Sequence, residues 1–207
     1  MKKNKHHSPE SRRQQILLAA EIVLLKEGIE NFTIDQVISH AQIAKGTVYK
    51  YYKSRDHLFA EMSVKSVEML FTSFKSSVVG IESSIEKIQS VIKSCYQFYR
   101  SYPQYYGLLN YFERADINAN EKQQYMEISM QLQVFIERII EEGKSSGEIT
   151  TSVSAQFIDF IIWSSTVGMI QFIENKKNLI PDFKALNQQH LINDFAKLIT
   201  AGLKNQA

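Results

Sequence analysis

Apolar residues recur along most of the chain at steps of three and four positions, which is the spacing of one face of an α-helix. A clear stretch starts at Ile85 and continues with Ile88, Ile92, Cys95 and Tyr99. No stretch shows the strict alternation of a half-buried β-strand, and only 3 prolines and 8 glycines interrupt the 207 residues. The pattern therefore predicts an all-α protein.

Capping signals divide this pattern into about nine helices. Ser8 followed by Pro9 marks the start of the first helix, and Gly28 suits the left-handed residue that ends it. Thr33 with Gln36 forms a capping box for the second helix. Two further capping pairs are Ser83 with Glu86 and Asn118 with Glu121. The predicted helices span residues 9–28, 33–40, 44–51, 55–79, 83–102, 103–112, 118–144, 154–175 and 183–203.

The second and third predicted helices are short and joined by a turn at residues 41–43, as in a helix-turn-helix unit. In such a unit the first helix crosses the DNA backbone, and the second places its N-terminal residues against base edges in the major groove. The apolar residues that would form a shared core are Ile34, Val37, Ile38, Ile43 and Val48. The remaining polar and aromatic side chains would lie on the outside.

The charge is distributed unevenly along the chain. The formal net charge is +2, but residues 1–60 carry +4 and the remainder carries −2. This asymmetry favours an anionic partner for the N-terminal part, and nucleic acid is the commonest such partner.

Residues 45–58 carry a resemblance to a known family. They read KGTVYKYYKSRDHL, which is similar to the TetR-family pattern K-G-T-(L/V)-Y-x-(Y/H)-F-x-(S/N)-K-E-x-L. Upstream, residues 16–20, Gly28 and Phe32-Thr33 fall at the family's spacing, so the resemblance covers about residues 12–60. It implies a helix-turn-helix DNA-binding domain at 1–54, with the motif at 33–52, and a ligand-binding and dimerisation domain at 55–207. The function it implies is that of a dimeric repressor released from a palindromic operator by a small apolar or aromatic molecule.

The resemblance also implies DNA contacts from eight residues, most of them on or beside the third helix. They are Thr33, Lys45, Gly46, Thr47, Tyr49, Lys50, Tyr51 and Lys53. Those at positions 45–47 would face base edges, and the glycine would allow close approach to the duplex. The others would contact phosphates, while positions 50 and 51 could also reach bases. Basic residues that would add non-specific phosphate contacts are Lys2, Lys3, Lys5, Arg12 and Arg13.

Two departures from the family pattern matter most for the turn and for the start of the third helix. Gln42 stands in the turn where the family has glycine, and Ala44 stands where it has serine or threonine as helix cap. A non-glycine residue at positive φ costs roughly 1 kcal/mol, and a missing N-cap side chain costs about 1 kcal/mol. These departures keep an alternative open, a helical ligand- or partner-binding module with degraded, non-specific DNA binding.

Aromatic side chains are concentrated on the predicted fifth and sixth helices. Aromatic walls with a few hydroxyls suit a concave pocket for an apolar or planar ligand, and the TetR family has its inducer site in this part of the chain. Ordinary core packing is the alternative for each of these residues. The predicted ligand-binding residues are Tyr99, Tyr102, Tyr106, Tyr111, Phe112, Tyr125 and Trp163.

The last two predicted helices carry apolar stripes interrupted by small residues. Such stripes permit close helix packing, and pairing with a second copy would give a four-helix interface. The predicted interface residues are Phe157, Ile161, Ser165, Gly168, Phe172, Leu191, Phe195 and Leu198. The dimer would hold two recognition helices about 34 Å apart, one turn of DNA.

Other chemistry finds little support in the sequence. One cysteine provides neither a disulfide framework nor a zinc cluster, and the five histidines are scattered. We therefore expect no enzyme activity, no cofactor and no metal. No secretion signal or transmembrane stretch is recognised, which predicts a cytoplasmic protein without a membrane partner.

Overall fold

The computed structural model describes residues 8–112, 119–176, 179 and 187–204, and within them the chain forms nine α-helices. The all-α prediction is confirmed. The helices are α1 (Pro9–Asn31), α2 (Ile34–Ala41), α3 (Lys45–Tyr51), α4 (Arg55–Ser77), α5 (Ser84–Ser101), α6 (Pro103–Phe112), α7 (Ala119–Ser145), α8 (Ala155–Lys176) and α9 (Gln188–Ala201). Asn118, the predicted cap of α7, and residues 183–186 of the last predicted helix lie outside the described residues.

The predicted caps at the start of the chain are present. The Ser8 hydroxyl accepts the N–H of Ser11, with Pro9 as the first helical residue. The capping box of α2 is complete, because Thr33 and Gln36 each bind the other's backbone N–H through their side chains. Gly28 has φ 75° and kinks the helical path, although helical turns continue beyond it to the end of α1.

The described residues divide between two compact units. The first runs to Val67 and also includes Pro103–Met126, so it contains α1–α3, the first part of α4, α6 and the start of α7. Within it α6 packs closely on α1: a Cβ at Gly107 would lie 2.7 Å from Ile29 Cδ1. The predicted functional division at residues 54/55 stays a prediction.

The second unit consists of Glu68–Tyr102 and the residues from Glu127 onwards, and in it α5 packs against α8 and α9. The N-terminus of α5 is bound by a carboxylate from a distant part of the chain. Glu148 accepts the N–H groups of Ser84 (2.7 Å) and Ile85 (3.3 Å) and also the Ser83 hydroxyl. Burial by itself would raise the pKa of Glu148, but these bonds together outweigh that effect and lower the pKa. The Ser83 hydroxyl also accepts the N–H of Glu86, as the sequence predicted.

Helix α8 is unusually apolar. Among the described residues it is the helix whose length and composition would allow it to cross a membrane. Its buried side nevertheless carries an acid, Asp159, which is 8% exposed. Burial and the nearby Glu137 raise the pKa of Asp159 to about 7.

Candidate nucleic-acid interface

The helix-turn-helix unit is built around a small core shared by α2 and α3. Val37 and Val48 are fully buried and Ile43 nearly so, while Ile34 and Ile38 are half-buried. The five predicted core positions therefore all face inward to some degree. Their burial fixes which side of the seven-residue helix α3 remains outside.

The turn between the two helices has the two local weaknesses that the sequence suggested. Gln42 adopts the left-handed conformation, with φ 53° and ψ 41°. Ala44 caps α3 with its backbone alone, since its carbonyl accepts the N–H groups of Thr47 (2.8 Å) and Val48 (3.2 Å) and no side-chain bond is made. The start of α3 therefore receives little local stabilisation.

The outer side of α3 carries most of the predicted DNA contacts. Lys45, Gly46, Lys50 and the following Lys53 are exposed, and Tyr49 is 38% exposed. Thr47 and Tyr51 are half-buried. A Cβ built on Gly46 would meet no atom within 4 Å, so a flat or convex surface could approach the backbone there.

Two of the predicted contacts already have partners. Lys45 Nζ lies 3.1 Å from Asp35 Oδ1 and 5.8 Å from the Tyr49 ring centroid, and the bond to Asp35 raises the pKa of Lys45. The exposed Thr33 hydroxyl lies 2.9 Å from Gln36 Oε1 within the capping box. Lys45 must therefore leave or share Asp35 to contact DNA.

The expectation that all the aromatic residues lie outside is wrong for Tyr52. Its side chain is fully buried, and its hydroxyl donates a 2.6 Å hydrogen bond to Glu61 Oε2. Arg13, predicted to contact phosphate, donates to the same oxygen from Nη2 at 3.0 Å and Nε at 3.2 Å. The sequence predicted no role for Glu61, since its partners lie on other helical segments, 9 and 48 positions away in the chain. Lys2, Lys3 and Lys5 lie outside the described residues.

The predicted ligand-binding aromatics fall in both units, and each unit shows its own contacts. In the first, Phe112 and Tyr125 stack at 4.1 Å between centroids, and the Tyr111 hydroxyl donates to Asp56 at 2.5 Å. Tyr106 belongs to the same unit and is 6% exposed. The first unit also has a groove of about 510 Å³ beside α1 and α2, which the sequence did not predict.

In the second unit the predicted aromatics lie on α5 and α8. Tyr99 lies 6.0 Å from Tyr96, and Tyr102 lies 5.6 Å from Phe98 between ring centroids. Tyr102 is 45% exposed and Trp163 is half-buried. These contacts are compatible with both ordinary packing and a ligand site.

The predicted dimer residues lie largely on the outside of α8 and α9. Phe157 is 62% exposed, Ile161 52%, Phe172 47% and Leu198 75%. Gly168 is exposed, and a Cβ added to it would have no atom within 4 Å. Ser165, Leu191 and Phe195 are half-buried. Large apolar side chains on the surface of one chain are suited to contact with a partner.

Within the described residues, no group of three or more histidine, cysteine and acidic side chains is placed to hold a metal ion. Cys95 is buried, and desolvation raises the pKa of its thiol to about 12. His57 Nε2 lies 3.2 Å from Glu121 Oε1. These groups take part in packing and pairing inside their units.

Comparison with known proteins begins with the helix-turn-helix region. Residues 16–62 match the family model described as bacterial regulatory proteins, tetR family. An uncharacterized HTH-type transcriptional regulator of Haemophilus influenzae is 21% identical over 100 residues, which are 48% of this chain and 54% of that protein. The match to this relative therefore spans about half of its length.

Two longer matches extend over nearly the whole chain. The fatty acid metabolism regulator protein of Bacillus subtilis is 20% identical over 195 residues, 93% of this chain and 95% of that protein. The crystal structure of a Bacillus subtilis transcriptional regulator FadR in complex with stearoyl-CoA has a TM-score of 0.69 and 18% identity, covering 91% of this chain and 98% of that one. At this identity the structural likeness concerns the fold.

Proposed function

Since the chain belongs to the TetR family of DNA-binding transcriptional regulators, which are not enzymes, we propose that it is a homodimeric repressor released from a palindromic operator by an apolar effector. The observation that carries the proposal is the outer side of α3. Lys45, Gly46 and Lys50 are exposed there while Val48 anchors the helix from within. A DNA-bound regulator of this kind would work in the cytoplasm.

The second copy is proposed to bind through α8 and α9. The exposed apolar side chains Phe157, Ile161 and Leu198 support this choice. Removing such apolar surface from water against a self-complementary copy is favourable and would stabilise a dimer. The same pairing explains why α8 is so apolar without a membrane. An Ile161→Arg variant should sediment as a monomer at micromolar concentration where the parent chain sediments as a dimer.

A fatty acyl thioester is proposed as the effector. The support is the likeness to a fatty acid metabolism regulator and to a regulator bound to stearoyl-CoA. The aromatic residues predicted from the sequence would supply apolar walls for such a chain. A coupling free energy of about 1–3 kcal/mol between the two sites would weaken DNA binding roughly 5- to 150-fold.

The DNA arm of the test uses the purified chain to select duplexes from a random library, followed by gel shifts on the recovered sequence. A palindromic site with specific affinity supports the proposal. Lys53→Ala should reduce the slope of log affinity against log salt by about 1. Lys122→Ala, an exposed lysine of α7, should leave the slope unchanged.

The effector arm adds stearoyl-CoA or free coenzyme A to the bound complex. Release by the acyl thioester alone supports the assigned effector. Failure of both compounds contradicts it while leaving DNA binding intact. Recovery of no preferred sequence, with binding lost at moderate salt, would favour the alternative of a helical module with degraded DNA binding.

A further inference from the structure

The C-terminal end of α3 is fixed by a buried hydroxyl group. Tyr52 follows the last residue of the helix, its N–H donates to the Val48 carbonyl at 2.9 Å, and its side chain is fully buried. Its hydroxyl donates to Glu61 Oε2 at 2.6 Å. The TetR-family pattern has phenylalanine at this position, so the hydroxyl is a departure of this chain from that pattern.

One carboxylate oxygen joins three helical segments at this point. Glu61 lies on α4, and its Oε2 accepts both the Tyr52 hydroxyl and the Arg13 guanidinium of α1. The Arg13 guanidinium carbon lies 6.0 Å from the Tyr52 ring centroid. The Glu61 side chain is 21% exposed against 45% for Arg13, so the ion pair is partly shielded from water.

The protonation states keep this arrangement in place at neutral pH. The hydrogen bond to Glu61 raises the pKa of Arg13, so the guanidinium remains charged. Burial, followed by the bond to Glu61, raises the pKa of Tyr52, so the phenol retains its proton. Arg13 and Tyr52 therefore both remain hydrogen-bond donors to Glu61 at neutral pH.

The geometry points to Glu61 as a positioning residue for DNA binding, which sets the orientation of α3 through Tyr52 without touching the duplex. This inference rests on the proposed function and adds a residue to it. A helix of seven residues is marginal in isolation, and α3 has no side-chain cap at its start. Its orientation therefore depends on tertiary contacts. If only a fraction of molecules holds α3 correctly, the apparent affinity falls by that fraction.

The test is a double-mutant cycle on the full chain with the duplex recovered by selection as the probe. Tyr52→Phe removes only the hydroxyl, and Glu61→Ala removes the acceptor. We expect Tyr52→Phe to weaken binding about fivefold and Glu61→Ala about tenfold. In the Tyr52→Phe background, Glu61→Ala should add much less than in the parent chain.

Glu68→Ala is the matched control, an exposed glutamate further along α4, and it should not alter affinity. Amide hydrogen exchange provides a second measurement that needs no DNA. Both Tyr52→Phe and Glu61→Ala should speed exchange in residues 45–52 while leaving α8 protected. If Glu61→Ala does not fold, Tyr52→Phe alone still tests the inference through DNA affinity and amide exchange.

The inference is overturned if the two effects simply add, if Glu61→Ala behaves like Glu68→Ala, or if exchange rises uniformly across the chain. A uniform rise in exchange would mean that Glu61 stabilises the fold as a whole and does not position α3. A parent chain that selects no DNA would contradict the proposed function, while local exchange in residues 45–52 would still decide the role of Glu61.

Discussion

Replacing Gln42 by glycine should stabilise the protein. The same replacement of a glutamine inside a helix should destabilise it. Gln42 has φ 53° and ψ 41° and is exposed. A side chain in this left-handed region costs roughly 1–2 kcal/mol because Cβ approaches the following carbonyl oxygen. Glycine removes that cost and makes the unfolded chain more flexible, which takes back about 0.4–1 kcal/mol.

The difference between these two ranges is about 0–1.6 kcal/mol, and its middle gives an expected increase of about 0.5–1 kcal/mol in the free energy of unfolding. For a chain of this size, 1 kcal/mol corresponds to roughly 2–4 °C in Tm, so the expected rise is about 1–4 °C. The matched control is Gln131→Gly, at an exposed position inside α7. There glycine should lower stability by about 1 kcal/mol, because glycine loses more conformational freedom on entering a helix than glutamine does.

Both variants should be compared with the parent chain by urea unfolding at one fixed protein concentration, since the stability of the proposed dimer would depend on concentration. Opposite signs at the two positions are the expected result. Destabilisation of similar size at both would refute the reasoning, because it would mean that the left-handed geometry at Gln42 carries no strain that glycine relieves.

Three further predictions concern single positions. Ala44→Ser should raise the free energy of unfolding by about 1 kcal/mol in the same urea assay, because serine supplies the absent N-cap bond; no gain would contradict the described cap. Gly46→Ala should also stabilise α3 by about 1 kcal/mol, yet gel shifts should show weaker operator binding, because in the proposed complex the added methyl group would lie between α3 and the duplex. Asp159→Asn should change how the free energy of unfolding depends on pH. With the folded-state pKa at about 7 and the ordinary value at 3.8, ionisation disfavours folding, so parent stability falls as pH rises between these values. Urea unfolding at pH 5 and pH 8 should show a smaller fall for the variant, and an unchanged fall would exclude Asp159 as its source.

The sequence predicted the helices well because their signals are local. The apolar spacing and the turn residues act within a few positions of one another, so α6 begins and ends at its predicted residues, Pro103 and Phe112. The capping box of Thr33 and Gln36 depends on a spacing of three and was equally visible. The family resemblance assigned the proposed DNA contacts of α3 in the same way, from contiguous residues, and these contacts stay a prediction.

Contacts between distant residues could not be predicted from such signals. Glu148 binds the N-terminus of α5, more than 60 positions earlier in the chain, and nothing in its surroundings marks it for that role. The aromatic residues illustrate the same difficulty. Tyr52 and Tyr49 are the same residue type on one short segment, yet one is fully buried and the other is 38% exposed, because helix packing decides which side faces inward.

The recognition helix shows how the local and distant contributions divide. Two residues at its start are locally destabilising, since Gln42 is left-handed and Ala44 provides no side-chain cap. Its end is fixed by the hydrogen bond from Tyr52 to Glu61. Local repairs at the start should raise stability without correcting orientation, because they do not replace the contact with α4. Ala44→Ser combined with Glu61→Ala should therefore recover stability but not operator affinity. Recovery of both would mean that the cap, and not the distant carboxylate, sets how α3 is presented to DNA.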